Sequence, residues 1–393
     1  MSSTTHGSAA STVKATSSAD PAVITWDEGG ETRSVRWRSE AGVAPPRRVV
    51  IADDRMTADA AYRFACEGTA LLWRGDFQNA RQLLQALARR IDRRPKKPCA
   101  ASPTAADAFH LHRAAQGHRA RILGMLLLPF DSDHTVPLRR APDVRQACME
   151  AYGEADGPYV ASLRELLGLI GAHEWRKKGV EIPALGARIH PHYGVFSPVR
   201  GEYVDLVAQA PLPSRALAFD IGTGTGVLSA VLARRGIERI VATDQDPRAL
   251  ACARDNIARL GVAAQVEIVQ ADLFPEGRAP LAVCNPPWVP ARPSSPVEYA
   301  VYDPDSRMLR GFLDGLADHL EPGGEGWLIL SDIAEHLGLR SRDALLGWIA
   351  GAGLKVVARL DAKPRHPKAS DESDPLHAAR VKEVTSLWRL AVR

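Results

Sequence analysis

The sequence predicts an α/β fold: a doubly wound, mostly parallel seven-stranded sheet, preceded by a mostly helical N-terminal domain. Two observations carry the prediction of the sheet. From residue 215 onward, short apolar segments alternate with helical segments, which is typical of parallel strands with helices on both faces. The first apolar segment also runs directly into a glycine turn at 219–226 (FDIGTGTG), and open α/β sheets bind ligands at such strand ends.

Length and composition restrict the class of protein. The chain has 393 residues, enough for two or three domains, and its 45% hydrophobic and 24% charged content is ordinary for a globular protein. A net charge of +4 permits an anionic partner without requiring one. The apolar run at 122–130 is too short to span a bilayer, so we expect no membrane association. The five cysteines form no CxxC pair, which favours a reducing cytoplasm and argues against a metal site.

The chain divides into four parts. Residues 1–22 are rich in Ser, Thr and Ala and are expected to form a disordered tail. Residues 23–175 are predicted to form a mostly helical domain that recognises the substrate, with Asp76 as the N-cap of one helix. Residues 176–200 show no clear helix and are predicted to be a linker. Residues 201–393 then form the sheet domain.

The strands and helices of the sheet domain follow one another with little interruption. Seven apolar segments are predicted as strands: ALAFD, RIVATD, QVEIVQ, PLAVC, GWLILS, LKVVARL and TSLWRLAV. Helical patterns occupy the segment VLSAVLARR, residues 246–261, about 306–320 and 342–351. The helix at 246–261 has Asp246 as its N-cap, Pro247 in its first turn and Gly261 as its stop signal. The last two strands lack a crossover helix, so one edge of the sheet is expected to be antiparallel.

The glycine turn is suited to close contact with a ligand. Gly222, Gly224 and Gly226 can adopt positive φ and let the backbone approach a bound group. The GxGxG spacing differs from the GxGxxG of dinucleotide sites and from the phosphate-binding GxxxxGK[ST] loop. No lysine follows to hold phosphates, so a nucleoside triphosphate is not expected.

Three acidic residues strengthen this interpretation. Asp220 ends the first strand, and Asp244 ends the second, where a carboxylate can accept hydrogen bonds from both hydroxyls of a ribose. Asp272 follows the third strand and can accept from an adenine amino group. Each alone could be a helix cap or a solvated loop residue. Three at successive strand ends beside a glycine turn indicate a ligand that contains a nucleoside.

With the motif NPPW after the fourth strand, residues 190–393 resemble the class I S-adenosylmethionine-dependent methyltransferases. The order DIGTGTG, ATDQDP, ADLF, NPPW is similar to that of the amino-methylating branch, which includes the HemK-like glutamine methyltransferases and methyltransferases of ribosomal RNA and DNA bases. The resemblance implies S-adenosylmethionine as cofactor and the strand order 3-2-1-4-5-7-6. It maps the cofactor site onto Asp220, Gly222, Thr223, Gly224, Gly226, Asp244, Gln245, Asp272, Leu273 and Asn285.

The same resemblance implies how NPPW acts. The side-chain oxygen of Asn285 and the carbonyl of Pro286 would accept both N–H groups of a planar NH₂, whose delocalised lone pair makes it a poor nucleophile. The rigidity of Pro286 and Pro287 would keep this acceptor pair in position. Trp288, where the family usually has Tyr or Phe, would stack on the planar group. Standing alone, NPPW could be a rigid turn with a packed tryptophan.

The acceptor of the methyl group is left open by the sequence. Residues 193–207 loosely resemble the segment over the cofactor pocket in HemK-like enzymes and in some ribosomal RNA guanine methyltransferases, which makes Phe196, Arg200 and Glu202 candidate substrate residues. A protein glutamine is the preferred acceptor. The alternatives are the exocyclic amine of a ribosomal RNA base and a small-molecule amine. An inactive cofactor-binding scaffold is disfavoured because NPPW is intact.

Three charged segments bear on this choice. The basic segments 89–97 and 110–121 could hold phosphates, although such runs are more often solvated surfaces. The charged insertion at 363–383 is expected near the substrate mouth, because long loops of compact domains are usually functional or disordered.

Overall fold

The computed structural model describes residues 22–93, 104–293, 296–365 and 371–393. The predicted disordered tail, apart from Ala22, lies outside these residues, and so do residues 94–97 of the basic segment 89–97. Within the described ranges, no helix is both long and apolar enough to cross a membrane.

The N-terminal part is built around a six-stranded mixed sheet, so the prediction of a mostly helical domain is wrong. Its strands are Val23–Glu28 (β1), Glu31–Trp37 (β2), Arg48–Ala52 (β3), Thr69–Trp73 (β4), Leu126–Phe130 (β5) and Tyr159–Ser162 (β6). They lie in the order β1-β2-β6-β5-β4-β3, with β3, β4 and β5 parallel and β6 antiparallel to β5. The helices are Ala58–Cys66 (α1), Phe77–Asp92 (α2), Ala105–Leu123 (α3), Arg145–Tyr152 (α4) and Leu163–Lys178 (α5).

The central strands β4, β5 and β6 lack the alternation that identifies a strand. All five residues of β4 and all four of β6 are buried, and β5 is buried at four of its five positions. A short, fully apolar run has the same composition as the core face of a helix, so its periodicity cannot separate the two. The predicted N-cap is confirmed, because Asp76 accepts a hydrogen bond from the backbone N–H of Gln78 at the start of α2.

The predicted linker at 176–200 is also corrected. It holds the end of α5 and a small hairpin of Val180–Ile182 (β7) and Ala187–Ile189 (β8). Both strands contribute to the same hydrophobic cluster as the first helix of the second domain, so the segment is a packed part of that domain. Three-residue strands are too short to give a periodic signal. Helix Glu202–Gln209 (α6) follows.

The second domain has a seven-stranded sheet in the order β11-β10-β9-β12-β13-β15-β14, which is 3-2-1-4-5-7-6 counted within the domain, as predicted. The strands are Leu217–Ile221 (β9), Arg239–Asp244 (β10), Val266–Gln270 (β11), Ala279–Cys284 (β12), Leu320–Ser331 (β13), Leu354–Ala362 (β14) and Thr385–Val392 (β15). Strand β15 is antiparallel to both neighbours, as the missing crossover helix predicts. The helices are Val227–Arg234 (α7), Pro247–Arg259 (α8), Arg307–His319 (α9), Ile333–His336 (α10), Arg342–Gly351 (α11) and His377–Arg380 (α12).

Hydrophobic side chains cover both faces of this sheet. One cluster joins α6 and α7 to one face, and a second joins α9 and α11 to the other. Burial on both faces explains why the central strands are continuously apolar, with β12 buried at five of its six positions. Polar residues at the carboxyl ends of these strands are therefore held on a rigid frame.

Candidate active site

A cavity of about 910 Å³ lies at the carboxyl ends of β9, β10 and β12, beside the segment that follows β11. The strand order reverses between β9 and β12, and doubly wound sheets bind ligands at such a switch point. The volume is in the range of small-molecule sites. Of the predicted residues it is lined by Gly222, Thr223, Gly224, Asp244, Gln245, Asp272, Leu273, Asn285, Pro286, Pro287, Trp288, Phe196 and Arg200.

Two glycines of the turn differ in their surroundings. Gly222 and Gly224 both have positive φ, 71° and 55°. A Cβ at Gly222 would collide with the Sδ-bound methyl of Met308 on α9, whereas a Cβ at Gly224 would meet nothing within 4 Å. Gly222 is thus packed against the flexible end of the Met308 side chain, and Gly224 leaves open space toward the cavity. Gly226, the third, is outside the cavity lining and packs against Ala253 of α8.

Asp220 does not line the cavity, although the resemblance predicts it as a cofactor-binding residue. It is 1% exposed, and one oxygen, Oδ2, accepts from the Thr223 hydroxyl (2.7 Å), the Ser229 hydroxyl (2.6 Å) and the Ser229 backbone N–H (3.1 Å). Burial raises the pKa of this carboxyl, and the three donors oppose that shift. The carboxylate therefore ties the glycine turn to the first turn of α7.

Asp244 does reach the cavity. Its Oδ2 accepts from the backbone N–H of Gly224 (3.0 Å), and its Oδ1 accepts from the backbone N–H of Asp246 (3.0 Å). A carboxylate has about four acceptor positions, so each oxygen keeps capacity for a further donor. Burial raises the pKa of Asp244. Gln245, beside it, is exposed at the rim.

Asp272 and Leu273, which follow β11, also line the cavity. The Asp272 side chain is exposed and lies 3.7 Å from the guanidinium of Arg307. Leu273 has φ 72°, a conformation that costs energy for a residue with a Cβ, and its carbonyl accepts from the Thr243 hydroxyl at 2.5 Å. Strained backbone held by its surroundings is common where a loop must present a surface to a ligand.

These residues fit S-adenosylmethionine. The cavity joins an open glycine turn to two carboxylates, Asp244 and Asp272, at neighbouring strand ends. Carboxylates accept from ribose hydroxyls and from an amino group, and they complement the positive charge of a sulfonium. Among the described residues, no group of three or more His, Cys, Asp or Glu side chains is placed to hold a metal ion.

NPPW lies on the wall of the same cavity, where β12 ends. Asn285 and Trp288 are half-buried and Pro286 is buried. The indole Nε1 of Trp288 donates to Asn285 Oδ1 at 2.9 Å. The amide oxygen is thereby fixed in orientation and keeps one free lone pair for a second donor.

Arg200 covers part of Trp288. Its Cζ lies 4.9 Å from the centre of the Trp288 ring. Its Nε donates to Glu202 (3.0 Å) and its Nη2 to Glu383 (2.9 Å), and both acids are almost fully buried. The Ser331 hydroxyl also donates to Glu383, at 2.5 Å. Arg200 and Glu202 therefore position the indole, and Glu202 does not line the cavity itself.

Most of the remaining wall was not predicted from the sequence, although Glu383 belongs to the charged segment 363–383 that was expected near the substrate mouth. The wall includes Phe109 and His112 of α3, Tyr302 and Asp303 after NPPW, and Glu383 before β15. Asp303 is 5% exposed and caps α9 by accepting from the backbone N–H groups of Met308 and Leu309, each at 3.1 Å. These residues carry no motif, and only the fold brings them to the cavity.

Comparison with known proteins supports the resemblance to methyltransferases and the choice of S-adenosylmethionine as cofactor. Residues 186–341 match the family model described as Methyltransferase small domain. The release factor glutamine methyltransferase of Cereibacter sphaeroides is 33% identical over 184 residues, which are 42% of this chain and 63% of that protein. Its counterpart in Mycolicibacterium smegmatis is 38% identical over 131 residues, 32% of this chain and 40% of that protein. The ribosomal protein L11 methyltransferase of Pelotomaculum thermopropionicum is 49% identical over 69 residues, 17% of this chain and 22% of that protein.

The chain spans less than two thirds of the length of each of these relatives. Among solved structures, the ribosomal protein L11 methylase of Lactobacillus delbrueckii subsp. bulgaricus covers 52% of this chain and 85% of its own, with a TM-score of 0.37 and 16% identity. The matches to the curated relatives and to the family model agree with the cofactor chemistry of the cavity. They identify the second domain of the chain as a class I S-adenosylmethionine-dependent methyltransferase domain.

Proposed function

We propose that the protein is an N-methyltransferase that acts on a planar NH₂ group, with a glutamine side chain of a protein as the acceptor. The observation that supports this most is the position of NPPW. Asn285, Pro286 and Trp288 line the same cavity as Gly224 and Asp244. The acceptor pair and the candidate cofactor residues thus share one enclosed space.

The chain's own residues orient the acceptor. The free lone pair of Asn285 Oδ1 and the Pro286 carbonyl each accept one N–H of the NH₂, which turns the nitrogen lone pair into the cavity. S-adenosylmethionine, when bound, supplies an electrophilic methyl group on a sulfonium. The nitrogen gains that methyl as the bond between the methyl carbon and sulfur breaks, which leaves neutral S-adenosylhomocysteine. The nitrogen afterwards releases one proton to solvent, so that the product is a neutral secondary amide. Positioning and polar stabilisation are the contributions required of the protein.

The charges of the cavity favour a protein acceptor over RNA. The arginines that line it, Arg200, Arg307 and Arg380, each lie within 4 Å of a carboxylate oxygen of Glu202, Asp272 and Asp374 respectively. Arginines already paired with acids are weaker ligands for phosphate than free ones, because phosphate binding would have to displace the carboxylate. The two glutamine methyltransferase relatives point in the same direction.

The experiment is a transfer assay with S-adenosylmethionine labelled in its methyl group. Three acceptors are offered separately: a bacterial release factor, ribosomal protein L11 and ribosomal RNA. We expect label in the release factor, on a glutamine located by peptide mass spectrometry, and strongly reduced label with Asn285→Ala. Label in RNA that declines steeply as the salt concentration rises would overturn this proposal and indicate a base methyltransferase. Binding to RNA depends on salt because contacts with phosphates release counterions. Label on a lysine of L11 would exclude the planar-NH₂ chemistry.

A further inference from the structure

Helix α3 belongs to the N-terminal domain, yet it forms part of the cavity wall. Phe109 and His112 of this helix line the cavity. Phe109 is 3% exposed and packs in one hydrophobic cluster with Val289, which directly follows NPPW, and with Leu337. The helix is anchored at its start by a capping box between Thr104 and Asp107. A helix of the N-terminal domain therefore borders the cavity beside the segment that follows NPPW.

Arg113, one turn after Phe109, makes three contacts with the segment that follows NPPW. Its Nη1 lies 3.1 Å from Glu298 Oε2, and its Nη2 donates to the carbonyl of Arg292 at 2.6 Å. Its Cζ lies 4.0 Å from the centre of the Tyr302 ring. The planar fork of a guanidinium can satisfy all three at once, which a lysine ammonium cannot do.

Tyr302 connects Arg113 to the residues that directly follow NPPW. Its ring is in edge contact with Phe109, with centres 6.4 Å apart. Val289 and Tyr302 form an isolated parallel bridge, in which Val289 donates to Val301 O (3.3 Å) and Asp303 donates to Val289 O (2.9 Å). Contacts therefore run from Arg113 through Tyr302 to Val289, the residue next to Trp288.

We propose that Arg113 is a positioning residue through which the N-terminal domain holds the acceptor end of the cavity in shape. This inference rests on the proposed function in one respect, that the methyl acceptor enters at this end. Arg113 itself does not line the cavity, and the contacts described above join it to the segment after NPPW and not to the glycine turn. Its loss should therefore affect the acceptor and leave the cofactor unaffected.

The first test requires no acceptor. Hydrogen exchange is measured on peptides covering residues 298–305 in the parent, Arg113→Ala and Arg113→Lys. We expect faster exchange there in Arg113→Ala and an intermediate rate in Arg113→Lys, which keeps the charge but loses the fork. The matched control is Arg119→Ala. Arg119 is on the same helix, but it pairs with Asp92 inside the N-terminal domain at 3.2 Å. Arg119→Ala should leave the exchange rates of the peptides at 298–305 unchanged.

The second test uses the acceptor found in the transfer assay. Arg113→Ala should lower kcat/KM for that acceptor by roughly 10-fold to 100-fold, mainly through KM, because a small displacement of the wall misplaces the acceptor. Affinity for S-adenosylmethionine, measured by calorimetry, should not change. Arg113→Lys should recover part of the loss.

The outcomes separate this proposal from the proposed function. If the parent methylates none of the three acceptors, the proposed function fails, while the hydrogen-exchange result still decides the role of Arg113. Unchanged exchange in Arg113→Ala, or an equal change in Arg119→Ala, overturns the positioning role. Should Arg113→Ala fail to fold, Glu298→Gln removes the ion pair from the other partner. If exchange at 298–305 is as slow in Glu298→Gln as in the parent, the positioning role of Arg113 is also overturned.

Discussion

The indole N–H of Trp288 donates a hydrogen bond of 2.9 Å to the side-chain oxygen of Asn285, the atom predicted to grip the acceptor nitrogen. Tyrosine or phenylalanine at this position has no ring N–H, so the bond is specific to tryptophan. It fixes the orientation of the amide before an acceptor arrives. The sequence predicted a stacking role for Trp288, and the structure adds a polar one.

Trp288→Phe tests the polar role alone. Phenylalanine keeps an aromatic surface, so the KM for the acceptor should stay close to that of the parent. The lost hydrogen bond is worth about 0.5–1.5 kcal/mol, which corresponds to a reduction of kcat by roughly 2-fold to 10-fold. Steady-state kinetics with the labelled methyl donor measure both constants. A rise in KM at constant kcat would show that the ring surface is what matters.

Asn285→Ala removes the acceptor group itself. We expect kcat to fall by roughly 10²–10³, the range for deleting one preorganised polar group at a reacting centre, with little change in cofactor affinity. Asn285→Asp keeps a hydrogen-bond acceptor toward Trp288 and should retain more activity than alanine. Circular dichroism provides the control for folding. A stable Asn285→Ala protein with the turnover of the parent would mean that NPPW is only a structural turn.

Asp244→Ala tests the role of this carboxylate in binding S-adenosylmethionine. The carboxylate holds the backbone of Gly224 and faces the cavity, so we expect S-adenosylmethionine binding to weaken by about 1.5–3 kcal/mol, the value of hydrogen bonds to a charged group. Glu267→Ala is a suitable control, because Glu267 forms a surface ion pair with Arg239 in the same sheet. Isothermal calorimetry compares the two variants. Equal affinities in the parent and in Asp244→Ala would remove Asp244 from the site.

The affinity for S-adenosylmethionine should also depend on pH. Burial raises the pKa of Asp244, so this carboxyl takes up its proton at a higher pH than an exposed aspartate. The protonated form loses acceptor capacity and negative charge, and the affinity should therefore fall as the pH is lowered through that raised pKa and recover above it. Asp244→Asn should bind S-adenosylmethionine weakly at every pH, and its affinity should depend less on pH than that of the parent. A parental profile in Asp244→Asn would assign the titration to another group.

The second domain was predictable because its signals are local. The glycine turn, the acid at each strand end and the alternation of strands and helices all lie within a few residues of one another, and the structure places most of them at one cavity. The contacts between Arg113 and Glu298 and between Arg200 and Glu383 join residues 185 and 183 positions apart. No periodic or short-range pattern encodes such pairs. Strands β4 and β6 of the N-terminal sheet were missed because complete burial removes the alternation of polar and apolar residues.

Asp220 illustrates how the structure reassigns a predicted cofactor residue, and Asp220→Ala tests the reassignment. The carboxylate is buried and receives three hydrogen bonds from Thr223 and Ser229, so its loss should reduce the free energy of unfolding by about 2–4 kcal/mol. Asp220→Asn keeps an oxygen that can accept from the Ser229 backbone N–H, and it should lose less than half as much. Urea unfolding gives both values, and calorimetry gives the cofactor affinity of the same proteins. If Asp220 acts by holding the glycine turn, stability and affinity should decline together across the two variants. Parental stability combined with lost affinity would mean that Asp220 contacts the ligand directly, as the sequence alone had suggested.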